Sequence, residues 1–565
     1  MPPITSLQLG RRIDAAQGKI PCDGMLRGAK VLDVFHCEWR TLDVGWIDGV
    51  IVSLDAGISA KRELEGKGTF LVPGFIDAHV HVESSLVVPG QFEKMVLPKG
   101  TTTAVCDPHE LTNVLGTEGL KYFLDAAEKL KMDLRVMLSS CVPATHMETN
   151  GGGQLLVESL LPFRSHPKVL GLAEMMNVPG VLNKELDVLA KVTAFSDTNL
   201  DGHSPLVKGR ALSAYLSAGI NSCHECSELE EAREKLIKGM RVWIREGSVA
   251  KDLHTLIPLL TLATSTSMGF CTDDRNPLDT AHEGHLDFLV RTAIKEGVPM
   301  EIAYRTASWS VARHYGLDRG IERRGAIAPG YIADMVWLSD AKSVAIRDVF
   351  VKGTPLPELD LGLPSPTKFS NTIRAKMPMA SDLEGPKGNV HVIGVKAGKI
   401  VTGRTVEYST ANGVAKLSVL ERHGKGSKPA NAYVRGFGEN FEGAISSSVG
   451  HDSHNLITVG SRTEDMAIAL RALEESGGGI AVVQKGKVLS RLSLPLGGLM
   501  SSKEPGEIAA NLLQLREASR SIGCELAEPF LQLAFLSLPV IPSLKLTDKG
   551  LVDVDNFKII PVSAG

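Results

Sequence analysis

The chain has 565 residues, 43% of them hydrophobic and 22% charged, and its formal net charge is −4. This length exceeds the size at which one hydrophobic core normally stops growing, so we expect two or three domains. The composition has no basic excess of the kind that nucleic-acid binding needs, and no run of about 18 apolar residues predicts a membrane span.

The start of the chain and its cysteines predict a cytoplasmic protein. Residues 1–19 lack the apolar segment of a signal peptide. The eight cysteines are scattered without the paired spacing of a disulfide framework, which in a chain of this length predicts reduced thiols. We therefore expect neither nucleic-acid nor membrane partners.

Short apolar runs alternate with helical patterns from about residue 71 to about residue 315. Residues 118–131 and 227–238, for example, predict helices. Eight apolar runs predict strands, at residues 71–81, 101–106, 134–139, 169–175, 198–202, 219–223, 242–245 and 268–271. Consecutive βα units of this number predict an α/β fold with a closed, TIM-like (β/α)8 barrel.

The first predicted strand contains the most informative motif, Pro-Gly-Phe-Ile-Asp-Ala-His-Val-His-Val at residues 73–82. Side chains alternate across a strand, so His79 and His81 point to one face while Val80 and Val82 point to the other. Rigid, parallel placement of this kind suits two imidazole ligands of one metal ion. Taken alone, the pair is equally explained by two half-buried histidines that hydrogen-bond to their neighbours.

Polar side chains also end several of the other predicted strands. In a (β/α)8 barrel such residues meet at one rim, where the active site lies. A single histidine there would more often be a core or surface residue, but four histidines and two carboxylates together predict a metal centre. A carboxylate can bridge two ions, so we expect two metals and a bridging hydroxide. These six are His79 and His81 at strand one, Glu174 at strand four, His203 at strand five, His224 at strand six and Asp273 at strand eight, while Asp107, His109 and Glu110 follow strand two.

At these positions the sequence resembles the amidohydrolase superfamily. Its pattern is Pro-Gly-x-x-Asp-x-His-x-His on strand one, Lys or Glu on strand four, His on strands five and six, and Asp on strand eight. Residues 49–54 and 325–336 are similar to the two halves of that superfamily's small flanking β-sandwich domain. The resemblance implies that Asp273 also takes a proton from the hydroxide. It implies one metal held by His79, His81, Glu174 and Asp273, and a second held by Glu174, His203 and His224.

Within this superfamily the chain resembles the bacterial adenine deaminases over nearly its whole length. The similar segments are residues 81–85, 106–110, 174–180, 201–205, 222–225, 270–275, 449–455 and 497–501. The resemblance implies a small-molecule purine substrate and hydrolytic deamination of adenine to hypoxanthine and ammonia, with hydroxide attacking purine C6. It implies two divalent transition metals, Mn2+ or Fe2+, and a ligand set without thiolate leaves Zn2+ open as well.

Two rival functions remain open at this point. Another amidohydrolase, such as an N-acyl deacetylase, would keep the same metal scaffold and act on a different substrate. Glu174 stands where hydantoinases and dihydroorotases have a carboxylated lysine, which argues against cyclic amides. A non-enzymatic scaffold protein would need a degraded ligand set, whereas every ligand position is filled here.

Further polar residues at the predicted rim are candidates for purine contact or proton transfer. Asp107, His109 and Glu110, which follow strand two, could instead have a structural role in the loop or bind an extra metal ion. For Arg245, an exposed charge pair with Glu246 is the alternative. The candidates are Glu83, Asp107 and Arg245 for substrate binding, and His109, Glu110 and Asp273 for catalysis.

The composition changes after about residue 351. Residues 353–368 are rich in proline and predict an extended linker. Strands are predicted at 390–393, 399–401 and 479–485, and helices at 463–474 and 505–522, which gives an extra C-terminal α+β domain. There, His451 and His454 lie in a polar turn that is either a lid over the barrel or a solvated loop. We expect domains at 1–73, 74–324, 325–365 and 366–565, and a homo-oligomer.

Overall fold

The computed structural model describes residues 4–363, 369, 371–426 and 428–565. The chain begins with α1 (Ser6–Ala16), β1 (Cys22–Asp33), β2 (Glu38–Ile47), β3 (Val50–Ser53), β4 (Ala60–Glu65) and β5 (Phe70–Pro73). Thr5 caps α1 by accepting a hydrogen bond from the backbone of Gln8, which satisfies a free N–H of the first turn. The long strand β1 pairs with β2, β4 and β5 and so is central to the first sheet.

Eight strands and thirteen helices form the next part of the chain. The strands are β6 (Phe75–Val80), β7 (Thr101–Cys106), β8 (Asp133–Leu138), β9 (Val169–Met175), β10 (Asn199–Gly202), β11 (Ser222–Cys223), β12 (Arg241–Arg245) and β13 (Met268–Cys271). The helices are α2 (Pro89–Val96), α3 (His109–Leu115), α4 (Thr117–Ala127), α5 (Val157–Leu160), α6 (Val178–Asn183), α7 (Leu186–Ala194), α8 (Gly209–Ser217), α9 (Leu229–Ile237), α10 (Leu253–Leu256), α11 (Pro277–His282), α12 (Leu286–Lys295), α13 (Met300–Thr306) and α14 (Trp309–His314).

These strands are arranged as a barrel of the TIM type. Strands β6 to β10 form one parallel sheet in chain order, and β11 to β13 form another. At one edge the backbone N–H of Asn221 donates to Leu200 O at 3.2 Å, which links the two sheets. At the other edge Val80 forms a parallel bridge with Asp273. The carboxyl ends of all eight strands therefore meet at one rim.

The predicted strand 71–81 is wrong as a single element, because the chain changes sheets within it. Strand β5 belongs to the first sheet and β6 to the barrel. At the crossing, the backbone N–H of Gly74 donates to Asp334 O at 2.8 Å. A Cβ atom at Gly74 would lie 2.1 Å from Oγ1 of Thr102, so this close approach requires glycine.

After the barrel the chain returns to the first sheet. It adds β14 (Met335–Asp340), β15 (Ala345–Val351) and β16 (Thr354–Pro355), giving the order β16-β15-β14-β5-β1-β2-β3, with β4 paired to β1. A buried cluster that includes Leu26, Trp46, Leu71 and Phe350 packs strands from before and after the barrel together. The two segments predicted to form a small β-domain thus meet in one sheet. Of the predicted linker, residues 364–368 lie outside the described residues.

The C-terminal region is a second α+β unit. Its elements are β17 (Asn389–Gly394), β18 (Gly403–Tyr408), β19 (Val414–Leu420), β20 (Ala430–Arg435), β21 (Ala444–Ser447), β22 (Leu456–Gly460), α15 (Thr463–Ser476), β23 (Gly479–Gln484), β24 (Lys487–Ser493), α16 (Pro505–Ser521), α17 (Pro529–Ala534), β25 (Leu544–Thr547), β26 (Gly550–Asp553) and β27 (Lys558–Ile560). Strands β17 to β24 form one sheet in the order β18-β17-β20-β19-β22-β21-β23-β24, and β25 to β27 form a separate meander.

Most of the elements predicted here are present, but the strand at 399–401 is wrong. Those residues are irregular and follow a turn that is closed by the backbone N–H of Lys399 donating to Lys396 O at 3.0 Å, and β18 begins only at Gly403. The backbone N–H of Thr402 then donates to Pro542 O at 2.9 Å. This segment is therefore held by a loop near the end of the chain instead of by a neighbouring strand.

The C-terminal region packs directly on the barrel. One continuous buried cluster contains barrel residues such as Val80 and Leu111 together with Leu499 and Leu512 of the C-terminal region. The backbone N–H of Ser501 also donates to a carbonyl in the loop after β6, at 2.9 Å. Among the described residues, no helix combines the length and the apolar character that crossing a membrane requires.

Candidate metal centre and active site

The two histidines of the first barrel strand lie side by side. His79 in β6 and His81 just after it are 3% and 4% exposed, and their Nε2 atoms are 3.1 Å apart. The Nδ1–H of His81 donates to the backbone oxygen of Asp107 at 3.0 Å. That hydrogen bond leaves the Nε2 lone pair of His81 free to bind a metal. The same-face arrangement predicted from the alternation is confirmed.

Glu174 in β9 lies between two pairs of histidines. Its Oε1 is 3.3 Å from Nε2 of His81 and 3.8 Å from Nε2 of His79. Its Oε2 is 2.9 Å from Nδ1 of His203 and 3.2 Å from Nε2 of His224. One oxygen thus faces each pair, which is the arrangement that a carboxylate needs to bridge two ions.

Asp273 completes the group at the end of β13. Its Oδ1 lies 3.4 Å from Nε2 of His79 and 3.2 Å from Nε2 of His81. Its Oδ2 lies 3.1 Å from Nη1 of Arg245. Burial alone would raise the pKa of Asp273, but the histidines and Arg245 hold it well below its usual range. Asp273 is therefore an anion at neutral pH.

The donor set fits divalent transition metals. The ligand atoms of His79, His81 and Glu174 lie within 4.8 Å of one another, as do those of Glu174, His203 and His224. Oε1 of Glu174 is buried and has no hydrogen-bond partner among the described residues, which marks unused coordinating capacity. Imidazole and carboxylate ligands without thiolate suit manganese, iron and zinc.

A second polar cluster lies beside this group, at the first turn of α3. Nδ1 of His109 faces Oδ2 of Asp107 at 3.0 Å, and its Nε2 lies 3.4 Å from Oε1 of Glu110. Burial disfavours the imidazolium, but Asp107, Asp452 and Glu110 raise the pKa of His109 well above its usual value. His109 can therefore carry a proton next to the metal ligands.

The polar turn of the C-terminal region reaches this cluster. Nδ1 of His451 lies 2.6 Å from Oε1 of Glu110, and Nε2 of His454 contacts Oε2 of the same carboxylate. The backbone N–H of Gly450 donates to Nδ1 of His454 at 3.2 Å, which places the proton of that ring on Nε2, facing Glu110. His451 and His454 are 3% and 1% exposed, so the solvated-loop interpretation of this turn is wrong.

Glu110 is held as a carboxylate by these contacts. Burial would raise the pKa of Glu110, but the neighbouring imidazoles of His451, His454 and His109 lower it well below its usual value. Conversely, burial opposes the charged form of His451, and Glu110 with Asp274 nevertheless raises the pKa of His451 to about 9.

Two predicted substrate-binding residues do not reach the central cavity. Asp107 accepts a hydrogen bond from Oγ of Ser139 at 2.7 Å and faces His109, so it orients that imidazole from behind. Glu83 accepts a hydrogen bond from the backbone N–H of Leu111 at 3.0 Å. Burial and the nearby charge of Glu110 raise the pKa of Glu83 to about 7. Neither side chain lines the cavity.

Arg245 does line the cavity, and the exposed charge pair considered for it is wrong. It is 3% exposed, and its guanidinium contacts Glu225, Asp252 and Asp273. Nη2 lies 2.9 Å from Oδ2 of Asp252. Three carboxylates offset the cost of burying this cation, and Arg245 in turn fixes the orientation of Asp273.

The cavity has two chemically different parts. The polar part is formed by His81, His109, Glu110, Glu174, His203, His224, Glu225, Arg245, Asp273, Asp274, His451 and Asp452. The apolar part was not predicted from the sequence, because nothing local to its residues distinguishes them from ordinary core positions. Its residues are Met176, Ile400, Phe535, Leu538 and Ile541, and Glu225 of the polar part was not predicted either.

Comparison with known proteins gives matches over nearly the whole chain. Residues 70–356 match the amidohydrolase family, and residues 394–558 match the adenine deaminase C-terminal domain. The chain is 45% identical to adenine deaminase 1 of Agrobacterium fabrum, over 98% of each chain. It is 46% identical to adenine deaminase 1 of Rhizobium etli, over 98% of this chain and 99% of that one. It is 47% identical to an adenine deaminase of Cereibacter sphaeroides, over 97% and 99%.

Proposed function

This chain belongs to the adenine deaminase family of amidohydrolases, and we propose that it hydrolyses adenine to hypoxanthine and ammonia. The observation that carries the proposal is the position of Glu174 between the pair His79 and His81 and the pair His203 and His224. This arrangement occurs in a chain that matches both family models and matches adenine deaminases over about 98% of its length.

The proposed cofactor is a pair of divalent transition metals, either Mn2+ or Fe2+, with Zn2+ also compatible. When bound, such metals lower the pKa of a coordinated water to about 7 and so supply hydroxide at neutral pH. The proposed ligands are His79, His81, Glu174 and Asp273 for one ion, and Glu174, His203 and His224 for the other.

Asp273 is the proposed base that receives the proton as water adds to C6. A C–O bond forms there. The proton on Asp273 then passes to the exocyclic amino group, the C–N bond breaks to release ammonia, and the C6 hydroxyl gives its proton to Asp273 as the carbonyl of hypoxanthine forms. Arg245 holds Oδ2 of Asp273 at 3.1 Å, so that carboxylate is oriented before substrate arrives. Arg245 acts in this proposal by positioning Asp273 instead of by binding the purine.

His109 and Glu110 are the proposed groups for proton transfer to the purine ring. Addition to C6 leaves negative charge on the adjacent ring nitrogen, which must be protonated. His109 carries a proton because its pKa is raised, while Glu110 is kept anionic by His451 and His454. A proton held between this imidazole and this carboxylate can be passed to the ring without solvent.

The proposal is tested by assaying a panel of purines and N-acyl compounds with the metal-loaded protein. Ammonia and hypoxanthine should appear in equal amounts from adenine, and no acetate should appear from N-acyl substrates. Release of acetate without deamination of adenine would instead identify a deacetylase on the same scaffold. Catalysis should disappear on treatment with a chelator and return on addition of Mn2+ or Fe2+.

The remaining expectations concern organisation, and they stay predictions. We infer domains at 1–73, 74–324, 325–365 and 366–565, with the 365/366 boundary outside the described residues. We also infer a homo-oligomer and a cytoplasmic location, with no nucleic-acid partner. Light scattering coupled to size-exclusion chromatography measures the oligomeric state directly, and a monomer at micromolar concentration would contradict the inferred homo-oligomer.

A further inference from the structure

The C-terminal region supplies an apolar wall to the cavity that also contains the metal-binding side chains. We use the name apolar wall for Ile400, Phe535, Leu538 and Ile541, all of which line that cavity. Phe535, Leu538 and Ile541 form one buried cluster with Ile400 packed against it. An apolar surface beside so many ionisable groups has no role in binding metals, so it requires another explanation.

Phe535 has a fixed orientation within this wall. Its ring is stacked on the ring of His451, with centroids 4.5 Å apart and an angle of 17° between the planes. The other side of the same histidine is tied to Glu110 through Nδ1. In addition, Oγ of Ser537 donates to the backbone oxygen of His451 at 3.0 Å. The aromatic plane is therefore linked to the polar cluster by a chain of direct contacts.

A buried lysine fastens two parts of the wall to each other. Nζ of Lys545 donates to the backbone oxygens of Ile400 and Phe535, both at 2.9 Å, and the residue is 0% exposed. Burial lowers the pKa of Lys545 to about 7. Oγ1 of Thr402 adds a hydrogen bond to Leu544 O at 2.8 Å. Segments that are far apart in sequence are thus joined directly behind the lining side chains.

We propose that the apolar wall binds the flat face of the heteroaromatic substrate, that Phe535 supplies the stacking surface, and that Lys545 is the residue that positions it. This inference rests on the proposed function and deepens it by naming what selects a planar ring. Stacking requires an aromatic plane and is indifferent to the pattern of hydrogen bonds on the ring. The wall therefore favours flat purines over the flexible N-acyl compounds that other amidohydrolases cleave.

The test compares Phe535→Met, which keeps an apolar side chain without a π face, with Phe535→Tyr, which keeps the face. Phe535→Met should raise KM for adenine and the inhibition constant of hypoxanthine together, by about ten- to a hundredfold, while metal content is unchanged. Phe535→Tyr should remain within about threefold of wild type. The matched control is Phe437→Met, because Phe437 is also buried but lies in the core of the C-terminal region and does not line the cavity.

Lys545→Met tests the positioning role. A loosened wall should raise KM for adenine several-fold while kcat and metal content stay near wild type. A purely structural role would instead lower the active fraction, seen as reduced kcat with unchanged KM. If the wild type deaminates adenine but Phe535→Met has the same KM for adenine and the same inhibition constant for hypoxanthine, the proposed stacking role of the apolar wall is wrong and the proposed function stands. Absence of wild-type deamination overturns the proposed function and this inference with it.

Discussion

Oε1 of Glu110 in the barrel lies 2.6 Å from Nδ1 of His451 in the C-terminal region. Both side chains are buried, and His454 contacts the other oxygen of the same carboxylate. The two parts of the chain therefore share one ionised group at the cavity. This contact explains why a polar turn of a separate α+β unit carries two histidines in a region that would otherwise need none.

Replacement of His451 and His454 by alanine should reduce turnover of adenine without loss of metal. The two imidazoles lower the pKa of Glu110, so their removal should raise it and move the acidic limb of the kcat/KM profile to higher pH. The measurement is a pH profile with parallel metal analysis. His254→Ala is the control, since that side chain is exposed. Wild-type kinetics in the double variant would remove the C-terminal turn from the mechanism.

Glu174→Ala should lose metal and activity together. The wild-type protein should carry close to two transition metals per chain, and removal of the shared carboxylate leaves each ion short of a ligand. Metal content by mass spectrometry should fall below one per chain, with activity lost in proportion. Glu158→Ala, at an exposed position in α5, should keep both ions. Two retained metals in Glu174→Ala would show that the bridge lies elsewhere.

Asp273→Asn should lower kcat by about 10²–10⁴, because the amide keeps the shape of the side chain and cannot accept the proton. Metal content must be measured alongside kinetics, since Asp273 is also a proposed ligand. The informative preparation is one that retains both ions. If it deaminates adenine within a few-fold of wild type, the base is another residue, and Glu110 or His109 becomes the next candidate.

Asp133→Asn should destabilise the barrel by about 3 kcal/mol at neutral pH. Asp133 is buried at the start of β8, with Lys168 Nζ at 2.7 Å and the Nε atoms of Arg135 and Arg324 each at 2.8 Å. Burial would raise the pKa of Asp133, but these three cations lower it. Its folded pKa is thus below the unfolded value of about 4, so the stabilisation is present above that pH and is lost as pH falls.

Unfolding measured at pH 7 and again below pH 4 checks this dependence. The difference in stability between wild type and Asp133→Asn should be largest at the higher pH and should shrink toward the lower one. Asp125→Asn, at an exposed helical position whose carboxylate pairs with Lys121, should have little effect at either pH. A difference that is independent of pH would mean that packing, and not charge, accounts for the loss.

The sequence predicted which histidines and carboxylates meet at the barrel rim, because their placement follows from local rules. Alternation along β6 puts His79 and His81 together, and barrel topology brings Glu174 and Asp273 to the same rim. The role of Asp107 was harder to predict, because its position at a strand end does not show whether the side chain points into the cavity or packs behind a neighbouring residue. Phe535 could not be predicted at all. Its role depends on contacts with residues far away in the chain.

The splitting of the cavity between the barrel and the last part of the chain has a consequence for biosynthesis. A ribosome makes all six proposed metal ligands well before it makes Phe535 and Lys545. Contacts between segments so distant in sequence form late in folding, because the intervening chain must first be ordered. A nascent chain can therefore contain every proposed metal ligand and still lack a closed pocket. We therefore expect catalytic activity only after the C-terminal region has been synthesised and has packed on the barrel.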